Sequence, residues 1–184
     1  MCAPFENASW GMTLSLPIRL AAVNDLPAGD FVALFGDVAE HSPWVAEAAA
    51  ERRPFESREA MIGAFEAVLH GADTTRQIAL IRAHPDLAGR AAIADLAIDS
   101  RREQTGAGLD RLTAEEFARF TKLNDGYKAR FGFPFIFAVK GATKDMILDA
   151  FESRVGRDPG EEFQTALAQI ARIFRFRIED RVLP

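Results

Sequence analysis

The 184-residue chain, 48% hydrophobic and 27% charged, suits one soluble globular domain, long enough to bury about 70% of its unfolded surface without disulfides or a structural metal. Lys and Arg number 22 against 27 Asp and Glu, and the net charge of -5 argues against a broad nucleic-acid surface while leaving room for a local anion pocket. A single cysteine, Cys2, excludes an intrachain disulfide framework and a Cys-based zinc site, and no run approaches the ~20 apolar residues of a membrane span.

Residues 1–25 show no clear period and read as a poorly ordered or loosely packed segment; residues 26–184 read as one helical domain. Phe31, Leu34, Phe35 and Val38 mark one face of a first helix. Ser42-Pro43 has the form of an N-cap followed by proline at the first helical position, opening a helix through Trp44, Val45 and Ala48. Ser57 caps the next, which carries Met61, Ile62, Phe65, Val68 and Leu69 and stops at Gly71. A further helix spans about Thr74 to Ala83. It must stop near His84, because Pro85 disfavours helical backbone at the residue before it.

Residues 87–98 are alanine-rich and read as helical, and Ser100-Arg101-Arg102-Glu103 has capping-box spacing. Thr113 to Glu116 repeats that spacing before Phe117, Phe120, Leu123 and Tyr127, and Gly132 and Pro134 break the pattern. Phe133 to Val139 reads as extended, buried chain. Thr143 opens another helix with Ile147, Leu148 and Phe151, and a last one from about Gly160 stacks Phe163, Leu167, Ile170 and Phe174. The expected fold is all-α, a single-domain bundle of about eight helices with one short extended apolar segment.

Three histidines are available for proton chemistry. His70, beside Gly71, and His41, before the Ser42-Pro43 helix start, read as structural residues. His84 is held by Pro85 at a helix end. The spacing leaves open whether it moves protons or only terminates a helix, and whether Asp86 orients it or caps the next helix. The two-histidine spacing of a helical zinc site is missing, so no metal is expected. Glu103 fits a capping box; equally, Ser100, Gln104 and a helix N-terminus could hold an anionic or carbonyl-rich ligand. Arg177 lies about 40° from the centre of the last helix's apolar stripe, where a guanidinium needs a partner or must snorkel past the helix end, as Arg181 on the same stripe also could.

Several segments, in order, then carry a resemblance. They are Glu40-His41-Ser42-Pro43-Trp44, Arg53-Pro54-Phe55, His84-Pro85-Asp86-Leu87, and Ser100 to Gln104 with Ala107-Gly108-Leu109. Leu123-Asn124, Tyr127, Phe131 to Ile136 and Arg177-Ile178-Glu179-Asp180 follow. Across roughly residues 25–183 the chain resembles the 2-oxo-4-hydroxy-4-carboxy-5-ureidoimidazoline (OHCU) decarboxylases, small all-α enzymes of urate breakdown. The resemblance implies cofactor-independent, metal-free decarboxylation to (S)-allantoin, with His84 as catalytic proton donor; the mechanistic hypothesis that follows makes Glu103 its catalytic partner at the substrate hydroxyl. The resemblance places Pro85, Ser100, Arg101, Arg102, Glu103, Gln104, Phe135, Ile136, Phe137, Ala138, Val139 and Arg177 at the substrate. Arg177, Gln104 and the helix N–H groups would hold the ring and ureido oxygens.

It further implies a homodimer acting on a small anionic substrate, while the charge balance and the lack of a long apolar run leave neither nucleic acid nor membrane expected as partner. The C-terminal Arg181 to Pro184 is not a peroxisomal signal, in keeping with a cytoplasmic place. Two other readings remain beside this one: a helical binding module with an unused pocket, and a related cofactor-free decarboxylase or hydrolase of ureido compounds.

Overall fold

In the computed structural model, residues 16–87, 102–103 and 105–184 are described. They form eight α-helices: α1 (Leu20–Asp25), α2 (Ala28–Phe35), α3 (Trp44–Ala50), α4 (Arg58–Gly71), α5 (Thr74–Ala83), α6 (Ala114–Phe131), α7 (Lys144–Arg154) and α8 (Pro159–Arg181). A 3₁₀ turn at Leu109–Arg111 precedes α6. The all-α bundle expected from the periodicity is therefore observed.

Helix starts follow side-chain chemistry. Ser57, Asp73, Thr113, Thr143 and Asp158 each accept a bond from a backbone N–H of the first turn that has no partner within its helix. Thr113 and Glu116 complete the reciprocal capping box. Ser42 departs from expectation. Pro43 occupies the cap position of α3 with no side-chain cap bond, while Ser42 is buried and its carbonyl accepts from Val45 N–H at 3.1 Å.

The core forms where α8 packs on α4, α3 on α4, and α2 on α3. Met61, Ile62, Phe65, Val68 and Leu69 of α4 meet Leu167, Ile170 and Phe174 of α8, with Phe65 and Phe174 edge to face at 6.2 Å. Phe163 is only half-buried; Glu162 is fully buried instead.

Of the N-terminal segment over residues 1–25, residues 16–25 are described. Ile18–Arg19 (β1) pairs in parallel with Val182–Leu183 (β2), α1 follows, and Val23 is fully buried. Asn24 clamps Phe55 by exchanging two bonds, 2.9 Å and 2.8 Å, with its backbone. A two-residue ladder and a six-residue helix are too short to leave a hydrophobic period, so the sequence pattern could not announce them.

Two irregular stretches follow α5 and α6. Gly132 ends α6 in the left-handed region (φ 75°), donating to Lys128 O, and residues 134–139 then run without ladder partners. Arg82 Nε donates to Gly132 O at 2.8 Å, which ties the last turn of α5 to the start of that run. His84 to Leu87 and Phe133 to Val139 are thereby brought alongside one another.

Candidate active site

A cleft with about 350 Å³ of empty space, mouth included, lies between these two stretches and the C-terminal half of α8. His84, Pro85 and Leu87 form one wall, and Phe135, Ile136, Phe137 and Val139 another. Ile173 and Arg177 contribute from α8, and Glu103 completes the lining.

His84 caps α5, where proline forbids a further helical residue, and is 7% exposed. Its Nδ1 lies 2.9 Å from Leu80 O, one helical turn back. A carbonyl only accepts, so Nδ1 carries the proton and Nε2 keeps its lone pair. Nε2 is buried and has no partner among the described residues. Burial above all depresses the imidazole to about 4, against an opposing pull from the Leu80 bond and Glu40. The resting ring is neutral at pH 7, a proton acceptor rather than a loaded donor. Asp86 does not orient it: Asp86 accepts from Lys128 Nζ at 2.6 Å, and Leu80 holds the ring.

Arg177 is 3% exposed and does not snorkel. Its Nε and Nη2 grip Glu103 bidentately at 2.9 and 3.0 Å, while Nη1 reaches Glu40 at 3.0 Å and the carbonyls of Asp37 and Val38. Burial works against its charge, but Glu103 and Glu40 outweigh that and raise its pKa above the usual guanidinium value. These donors are turned to protein acceptors, so the guanidinium anchors Glu103 rather than presenting an open fork to a ligand.

Of the residues expected at a substrate, the cleft unites His84, Pro85, Glu103, Phe135, Ile136, Phe137, Val139 and Arg177. Arg102 is exposed and outside the lining, and Ala138 is buried beside it rather than in it. Ser100, Arg101 and Gln104 lie outside the described residues, as do the expected helix over 87–98 and the Ser100 end of the capping box.

The sequence reading missed Ile173, Leu87 and Glu40. Ile173 stands one helical turn before Arg177, a spacing that could have revealed it. Glu40, 2% exposed, sits in the turn before His41, whose φ of 46° is left-handed. His41 itself is exposed, not a packing contact. No group of three or more His, Cys, Asp or Glu able to hold a metal ion occurs among the described residues.

A helical domain in which a buried histidine and an arginine-held carboxylate line one cleft holds the groups that proton transfer on a small ligand requires. The particular family follows from comparison. The family model described as OHCU decarboxylase matches residues 24–179, and the chain belongs to that family. An OHCU decarboxylase of Haloferax volcanii is 41% identical over 164 residues, covering 89% of this chain and 96% of the relative. The crystal structure of an (S)-allantoin synthase superposes with a TM-score of 0.74 at 29% identity, covering 91% of this chain and 54% of that longer one. The fold is also that of an OHCU decarboxylase crystallised in the presence of (S)-allantoin, with a TM-score of 0.65 at 21% identity over 79% of this chain and 94% of the other.

Proposed function

We propose that the protein decarboxylates 2-oxo-4-hydroxy-4-carboxy-5-ureidoimidazoline to (S)-allantoin, a step of urate breakdown. The observation that carries the reading is the meeting, in one cleft, of an unpartnered imidazole nitrogen and a carboxylate fixed by Arg177. The reaction makes matching demands. The bond from the ring carbon to the carboxylate breaks, and its electron pair enters the adjacent C=N of the substrate's own ring. The hydroxyl proton leaves as a carbonyl forms, one proton arrives at the carbon bearing the ureido group, and another reaches the ring nitrogen from water.

The substrate supplies its own electron sink, so the reading calls for neither organic cofactor nor metal. The protein must orient the carboxylate and move protons. Glu103 accepts the hydroxyl's hydrogen bond and draws it toward the carbonyl form. His84 enters as a base. A substrate carboxylate beside Nε2 favours the imidazolium, so anion binding and proton uptake are coupled. The imidazolium then delivers its proton to one face of the ring carbon. Arg177 holds Glu103 in place for this. Pro85 and the segment from Phe135 to Val139 shape the wall, and Ser100, Arg101 and Gln104, which lie outside the described residues, complete the substrate shell in the same reading.

Circular dichroism during a coupled urate reaction tests it. Urate oxidase and hydroxyisourate hydrolase generate the unstable substrate in place, with and without the protein. Rapid growth of the (S)-allantoin signal is expected; slow appearance of racemic product, equal to the control, would overturn the assignment. The reading also makes the protein a cytoplasmic homodimer, and sedimentation at equilibrium tests the dimer. No described helix is long and apolar enough to cross a membrane.

A further inference from the structure

A buried polar network lies outside the chemistry above. Glu162, in the first turn of α8, is fully buried, and Arg154, in the last turn of α7, is 4% exposed. Arg154 donates to Glu162 Oε1 from Nε at 2.8 Å and from Nη2, and the Tyr127 hydroxyl donates to the same oxygen. An apolar cluster of equal volume commonly serves stability as well as a buried ion pair, so stability alone does not account for these residues.

The network reaches outward at one point. Arg154 Nη1 donates to Ile136 O at 2.8 Å, with the guanidinium carbon 4.4 Å from the centre of the Phe135 ring. That ring stacks on Phe151 at 3.8 Å. Two residues along, Ala138 N–H donates to Gln169 Oε1 of α8 at 2.9 Å. Ile136 and Ala138 are therefore both clamped, one by α7 and the other by α8. Phe137, between them, lines the cleft. Residues 134–139 have no ladder partners, so side chains must fix the position of this segment.

We propose that Gln169 and Arg154 are positioning residues: by clamping Ile136 and Ala138 they set the position of Phe137 against the substrate ring, and with it the ring face turned to His84. The inference rests on the cleft being the decarboxylase site.

The test compares the full chain with Gln169→Leu, Gln169→Glu and the paired variant Arg154→Met with Glu162→Leu, which leaves no buried charge unpaired. Loss of one such bond is expected to raise KM about tenfold in Gln169→Leu, with a smaller change in kcat. The enantiomeric excess of freshly formed allantoin should fall in the same variant. Gln169→Glu keeps an acceptor oxygen and should restore both; the paired variant should behave like Gln169→Leu. A Gln169→Leu protein with unaltered KM and unaltered stereochemistry would overturn the clamp.

Amide hydrogen exchange of the resting proteins decides the matter independently of turnover. Peptides covering residues 133–142 should exchange faster in Gln169→Leu while α4 is unchanged, and equal exchange rules the clamp out. Should the wild-type protein fail to accelerate allantoin formation, the assigned activity falls, and exchange alone judges the clamp.

Discussion

Arg154 and Arg177 are buried to nearly the same degree and are partnered differently. Arg154 faces one carboxylate, Glu162, and its charge closes to zero inside an aromatic shell of Tyr127, Phe135 and Phe151. Arg177 faces two, Glu40 and Glu103. Folding gains little from a second carboxylate beside an already paired guanidinium, because each buried ion costs desolvation. The second carboxylate is the one that meets the cleft: Glu103 retains 19% side-chain exposure and lines the same space as His84. The pair is closed within the core; the triad opens on the cleft.

The comparison breaks first at the chemistry. His84→Ala removes the only buried unpartnered imidazole nitrogen among the described residues and should lower turnover by roughly 10²–10⁴-fold, the range of general acid–base catalysis, with helical circular dichroism intact. Glu103→Gln should follow with a loss of about 10²-fold, since it keeps a bond to Arg177 but not the charge. Wild-type turnover in either variant would mean that the open triad serves no reaction.

The closed pair should show the opposite balance. Arg154→Met leaves Glu162 buried without its cation and should cost about 3–5 kcal/mol in urea unfolding. Adding Glu162→Leu should recover most of that loss. Turnover in the single variant should change far less than stability does, and a collapse of kcat with unchanged stability would invert the roles given to the two arginines.

Acid sharpens the contrast. His84 titrates near 4 when folded and near 6.5 when free, so between those values the unfolded chain binds the extra proton. Stability from this group is complete above pH 6.5 and declines as pH falls toward 4, by at most about 3 kcal/mol. Urea melts across that window should show the slope in the wild type and a shallower one in His84→Ala.

The two arginines also differ in how far the sequence reveals them. Arg177 falls near the centre of the apolar stripe of a 23-residue helix, and its phase marks it as a cation that must find a partner or snorkel. Arg154 and Glu162 sit in a last and a first helical turn, where basic and acidic residues are ordinary complements of the helix dipole, so nothing signals their burial. Glu40 is hidden for another reason. It lies in the irregular turn between α2 and α3, where no period says which side chains point inward. The extended wall over Phe133 to Val139 was legible, because Gly132 and Pro134 break the helical pattern before a short apolar run. Its tethers to Arg154 and Gln169 join residues 18 and 31 apart, and only packing brings them together.

The smallest expected effect concerns Asp86, which the His-Pro-Asp spacing made a candidate for orienting the imidazole. In the folded chain its carboxylate is 30% exposed and paired with Lys128, itself 42% exposed, while the ring takes its orientation from Leu80 O. An exposed pair of this kind contributes roughly 0–1 kcal/mol, and less as salt rises. Asp86→Asn should therefore shift the urea midpoint only slightly and leave kcat within about twofold, because Nδ1 keeps its proton and its acceptor. A drop of more than about tenfold in kcat with an unaltered melt would show that Asp86 acts on His84. The wall holding the imidazole would then need a charged support resembling the one Arg177 gives to Glu103.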